Sequence, residues 1–157
     1  MRKRILAPMT RDASPAASGW LDVEQVAEVV LTSEDADHPI ESALRPGDGP
    51  GWRASEPGRQ TIRLRFDVPQ QLQRIRLVFQ EHGAARAQEF VLRWSSDGGV
   101  SFREILRQQY TFSPPGTTHE VEDYAVDLSG VTALELAIIP DIHGSESYAS
   151  LSEWRLA

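Results

Sequence analysis

Ile62, Leu64, Phe66 and Val68 occupy alternate positions, with Arg63, Arg65 and Asp67 between them, and Ile75, Leu77 and Phe79 then alternate with Arg74 and Arg76. Successive side chains on a β-strand point to opposite faces, so a period of two marks strands with one face buried and one in water. The pattern predicts strands over 60–68 and 73–80. Further strands are expected over about 26–32, 89–95, 101–109, 120–128, 133–139 and 149–156, with Pro, Gly and Ser clusters between them. The first of these is ambiguous: Val23, Val26, Ala27 and Val30 would suit a helix, whereas the β-branched run Val29-Val30-Leu31-Thr32 favours a strand. The only helical turn expected lies in His38–Leu44. Eight short strands without crossover helices predict an all-β, antiparallel sandwich or barrel.

A chain of 157 residues suits one such domain. Residues 1–19 mix Arg2, Lys3 and Arg4 with Pro8, Pro15 and small side chains, a composition that seldom packs, so an arm is expected there and a single domain over 20–157. The net charge of −7 disfavours a nucleic-acid partner, which needs a basic footprint. No apolar run approaches the roughly 18 residues of a membrane span. The apolar stretch after Arg4 is too short for a signal peptide, so a cytoplasmic location is expected. With no cysteine there is neither a disulfide framework nor a thiolate to act as nucleophile or metal ligand.

If successive strands run in opposite directions, their connections fall alternately at the two ends of the molecule. The long connections, 33–59, 81–88, 110–119 and 141–148, then share one end, and the short ones, 69–72, 96–100 and 129–132, the other. His38, His82, His119 and His143 all belong to the long set, as do Trp52, Phe112 and Tyr148. Binding residues concentrate in loops on a rigid scaffold, which makes that end the functional candidate. Asp97-Gly98-Gly99 falls at the opposite end and reads as a hairpin turn.

His38-Pro39-Ile40-Glu41-Ser42-Ala43-Leu44, Gly51-Trp52-Arg53-Ala54-Ser55, Gln60–Asp67, Ser96-Asp97-Gly98 and the closing Ala149–Leu156 together resemble the discoidin, or coagulation factor type C, domains, over about residues 23–157. The resemblance implies an eight-stranded antiparallel jelly-roll β-sandwich of the galactose-binding-like group. It also implies a non-catalytic module that recognises ligands, very often glycans, through loops away from the termini. Many sugar-binding members hold a structural calcium with an acid just after the Ala-Leu element and a Glu in the last strand. Glu153 matches the latter, but Arg45-Pro46 follow Leu44 and the nearest acid is Asp48. Calcium takes six to eight oxygen ligands and only these two are offered, so no cofactor is required for the expected function.

A sugar site needs an aromatic face for the pyranose C–H surface and planar polar groups for the hydroxyls. His38, Trp52, Arg53, His82, Arg86, Tyr110, Phe112, His143 and Tyr148 are the candidates, and carbohydrate or another small neutral ligand is the expected partner. A protein partner at the same end is the alternative. Arg63, Arg65, Arg74 and Arg76 form a basic patch that calls for acidic neighbours or an anionic partner. Glu120 and Glu122, two apart on one strand, lie about 6.6 Å from each other by strand rise, near a glycosidase spacing, but read as an exposed pair with nothing to separate their pKa values. The sequence contains no G-x-S-x-G or phosphate-binding loop, so no enzyme is expected.

Overall fold

The computed structural model describes residues 19–47 and 49–157. Its elements in chain order are α1 (Val23–Val26), β1 (Ala27–Leu31), α2 (Glu41–Leu44), β2 (Trp52–Arg53), β3 (Gln60–Gln80), β4 (Arg86–Ser95), β5 (Arg103–Phe112), β6 (His119–Ile139), β7 (Ser150–Leu151) and β8 (Glu153–Leu156). Every ladder is antiparallel. The main sheet runs β1-β3-β6-β4-β5, with β8 added to the second half of β3, and β2 pairs with β7.

The two longest strands make this a sandwich. β3 pairs with β6 along its whole length, but the register slips between Arg65 and Arg74. The first half of β3 lies between β1 and the end of β6, while the second half lies between β8 and the beginning of β6. The ladder folds over at the slip, so the two halves face each other across the core. Phe79 from the second half meets Phe90 of β4 with ring centroids 5.1 Å apart. Ile62, Leu64, Leu134 and Leu136 from one layer, and Ile75, Leu77 and Trp154 from the other, are fully buried between them. Burying a large apolar side chain contributes roughly 1.5–3 kcal/mol, which makes this layer contact the main source of stability.

Several expected boundaries shift for identifiable reasons. Residues 69–72 and 129–132, read as connections, are bends inside β3 and β6. Pro69 lacks an N–H and falls where the register breaks, and Gly130 takes a positive φ of 69° there, so these turn-forming residues serve bulges. β4 starts earlier and β5 ends later than expected, which turns Arg86, Tyr110 and Phe112 into strand residues. The ambiguous segment divides into α1 followed by β1. The arginine patch is neutralised: Arg63 meets Glu135 at 2.5 Å, Arg65 meets Glu28 at 3.8 Å, Arg74 meets Asp123 at 2.8 Å, and Arg76 meets both Asp123 and Glu153. Among the described residues, no helix is long and apolar enough to cross a membrane. The expected arm over 1–19 lies outside the described residues apart from Gly19.

Candidate functional site

Hydrogen bonds draw the long connections together at one end. The Glu81 N–H donates to Thr118 O, Ile142 N–H to Ala87 O, Gly58 N–H to Ser147 O and Ala54 N–H to Ala149 O, at 2.8–3.1 Å. At the opposite end, Gly98 N–H donates to Thr132 Oγ1 (2.9 Å), and Thr132 Oγ1 donates to Ser95 O, tying the Asp97 turn to the bend in β6. Gly98 and Gly99 both have positive φ, 76° and 94°, as a tight hairpin turn requires. The Asp97 carboxylate accepts from Ser95 Oγ, Ser101 Oγ and Ser101 N, and these bonds hold its pKa far below the usual carboxylate range.

The rim is assembled around β2. Arg53 N–H donates to His38 O (3.2 Å), and its carbonyl accepts from Asp35 N–H (2.8 Å), so the first long connection closes over Arg53. β2 pairs Arg53 with Ser150 of β7, next to Tyr148, and the Arg53 guanidinium carbon stands 5.4 Å from the centre of the Tyr148 ring. His38 Nδ1 lies 2.6 Å from Asp35 Oδ2, with both side chains more than a third exposed. The His38 hydrogen bond, then one from the Asp37 backbone, and the nearby Arg53 cation hold the Asp35 carboxyl below its ordinary pKa. Asp35, His38, Arg53 and Tyr148 thus form one group, the first three half-buried and Tyr148 exposed, with an acceptor, an imidazole, a forked cation and an aromatic face. Asp35 is absent from the sequence-based candidates, and its signal is the Asp-x-x-His spacing.

The remaining candidates divide. Trp52 is 1% exposed and donates its indole N–H to Ser33 O (3.1 Å), so it plugs the core beneath Arg53. Phe112 is fully buried, and the Arg86 guanidinium sits 4.8 Å over its ring. Arg86 spends Nε on Glu81 (2.7 Å) and Nη1 on Gln88 Oε1 and Pro140 O. These three side chains are internal, which corrects the expectation that they reach a ligand. Tyr110 is half buried, edge-on to Phe112. His82 and His119 flank Gln80, at 3.4 and 3.3 Å, and form a second exposed group linked to the first through Ser150 Oγ, which donates to Gln80 O. His143 is exposed, its N–H held by Asp141 Oδ1 (3.1 Å).

Glu120 also departs from expectation: only 2% exposed, it accepts from Gln88 Nε2 (3.2 Å). Burial and then the neighbouring Glu122 push its pKa up to about 9. Glu122 in turn accepts from the Tyr124 hydroxyl.

The implied calcium fits these residues poorly. The C-terminal carbonyls of α2 face Arg155, whose Nη1 donates to Ala43 O (2.8 Å) and Nη2 to Arg45 O. Arg155 is buried, and desolvation lowers its pKa. Glu153 accepts from Arg76 Nε at 3.1 Å. Asp48 lies outside the described residues. The Arg155 guanidinium already bonds these two carbonyl oxygens, and no group of three or more acidic, His or Cys side chains suited to a metal occurs among the described residues.

No family model and no curated protein matches the sequence. Solved structures do match. The family 32 carbohydrate-binding module of NanJ from Clostridium perfringens, in complex with galactose, superposes with a TM-score of 0.64 at 12% identity, covering 87% of this chain and 96% of that one. CpGH89CBM32-5 from Clostridium perfringens, in complex with GalNAc-β-1,3-galactose, gives 0.61 at 17% identity, covering 87% and 98%. The family 32 module of AlyQ, in complex with 4,5-unsaturated mannuronic acid, gives 0.60 at 16% identity, covering 84% and 95%. The chain therefore has the antiparallel β-sandwich fold of these modules.

Proposed function

We propose that the protein is a non-catalytic carbohydrate-binding module that holds a neutral sugar against Tyr148, with Asp35, His38 and Arg53 bonding its hydroxyls. The observation that carries this reading is the meeting of Arg53 and Tyr148 at 5.4 Å beside the Asp35–His38 pair. A pyranose has one apolar face and a fringe of hydroxyls, and each hydroxyl taken from water needs a partner. Here the ring supplies the face. The Arg53 fork donates, the Asp35 carboxylate accepts, and the imidazole of His38 can do either. Solved structures of this fold that carry galactose or GalNAc-β-1,3-galactose support a neutral sugar, and one that carries an unsaturated mannuronic acid supports carbohydrate as the wider class.

The buried Arg155 bonds support a module that works without calcium. Glu120 lies buried against Gln88, which supports a structural role for the Glu120–Glu122 pair over a catalytic one. The competing reading is a protein contact at the same end, favoured by the exposure of Ile142 together with Tyr148 on one segment.

A thermal-shift panel of mono- and oligosaccharides, with and without calcium, tests the proposal. A sugar at one hundred times its dissociation constant adds about 2.7 kcal/mol of stability. The expected result is a shift for at least one neutral sugar, the same in EDTA, that disappears in Arg53→Ala while the unliganded melting temperature stays within a few degrees. A shift that survives Arg53→Ala would place the site elsewhere.

A further inference from the structure

β1 is a terminal strand of the main sheet, and its outer edge meets no other strand among the described residues. Thr32 N–H donates to Thr61 O at 3.1 Å, which fixes the alternation along the ladder. Val30 and Glu28 direct their backbone groups to β3, and Val29 and Leu31 direct theirs outward. Ala27-Glu28-Val29-Val30-Leu31 contains no Pro, Lys or bulge to block the edge, and its one charge is the acidic Glu28.

A groove of about 320 Å³ lies along this same edge. Ala27, Val29, Leu31, Ile40 and Leu44 form its apolar part, and Glu24, Glu34 and Glu41 its acidic part. Glu24 is paired with Arg45 (2.6 Å), and Glu34 lends Oε1 to the Ile40 N–H (2.7 Å). Outward N–H and C=O groups, an apolar floor and a glutamate rim therefore coincide on one short stretch.

We infer that this edge docks an extended peptide in which a lysine or arginine neighbours aliphatic residues, added to β1 as a further strand. Val29 and Leu31 supply the main-chain hydrogen bonds, the groove takes the inward aliphatic side chains, and the glutamates select a cation. Charge decides between this occupant and a second copy of the chain. A second copy would bring its own Glu34 and Glu41 against the same rim, in a protein of net charge −7.

The test is fluorescence anisotropy of the full chain with two labelled, acetylated hexapeptides, one alternating lysine with valine and one alternating glutamate with valine. The lysine peptide is expected to saturate and to bind at least roughly ten-fold more tightly, with the difference shrinking in high salt. Val29→Pro removes an outward N–H without touching the β3 ladder, and is expected to abolish binding. Glu41→Lys leaves the strand alone and is expected to weaken it several-fold. Melting curves check that both variants are folded. The inference is overturned by absence of binding to the full chain, by equal binding of the two peptides, by undiminished binding in folded Val29→Pro or Glu41→Lys, or by concentration-dependent dimerisation that the lysine peptide fails to reverse.

Discussion

Asp35 and Asp97 are both loop aspartates with lowered pKa values, at opposite ends of one sandwich, and they differ in where their bonds go. Asp97 spends its oxygens on Ser95 and Ser101 within its own turn, clamping the hairpin between β4 and β5. Asp35 bonds to His38 and to the Asp37 backbone of its own loop, but stands beside an arginine that arrives from β2 and an aromatic ring from the segment before β7. A carboxylate satisfied by its own turn builds the scaffold, whereas one placed among side chains from separate segments can take part in recognition. The contrast separates a pole that holds the fold together from the rim proposed to face the ligand.

The largest expected effect concerns the footing of the rim. Arg155→Met leaves the buried Ala43 carbonyl without its donor and the partly exposed Arg45 carbonyl to water, and should cost up to about 3 kcal/mol in urea unfolding, since an unsatisfied buried group costs roughly 1–3 kcal/mol. Calcium should restore none of it, and recovery with calcium would break the assignment of those oxygens to the guanidinium. Next comes Arg53→Ala, which should weaken sugar binding by a factor of about one hundred or more, or roughly 2.7 kcal/mol, with little change in melting temperature. Asp97→Ala should do the reverse, lowering the melting temperature by several degrees while sugar affinity measured by calorimetry holds. If both variants lost affinity and stability together, the division of labour between the two ends would fail. A separate effect is a slope with pH. Glu120 has a folded pKa of about 9, above its unfolded value near 4.3, so its contribution is complete below the lower value and drains away as pH climbs to the upper one. Unfolding free energy should therefore fall from pH 5 to 9 by more in the native protein than in Glu120→Gln. Sugar affinity should not follow that slope, because Glu120 lies inside the sandwich.

Much of the scaffold was legible because alternation along a strand is a local property. The inward phase of Ile62, Leu64 and Phe66, and of Ile75, Leu77 and Phe79, is confirmed by their burial. Pro69 and Gly130 misled for a physical reason: the residues that make turns also make bulges, and only the partner strand distinguishes them. Trp52 looked like a loop aromatic until its two-residue pairing with β7 carried it under the rim. Arg86 and Phe112 became interior when β4 and β5 proved longer than the sequence pattern indicated. Arg53, His38 and Tyr148 were recognisable as candidates by residue type. Their meeting, and the part of Asp35, depend on backbone bonds between distant segments that no local pattern encodes.

The most direct measurement is a titration of galactose or N-acetylgalactosamine into isotope-labelled protein, followed by amide chemical shifts. Shifts confined to the neighbourhood of Asp35, His38, Arg53 and Tyr148, with Ser95–Ser101 unmoved, are the expected result. Shifts centred on the Asp97 turn, with Arg53 and Tyr148 unmoved, would contradict it.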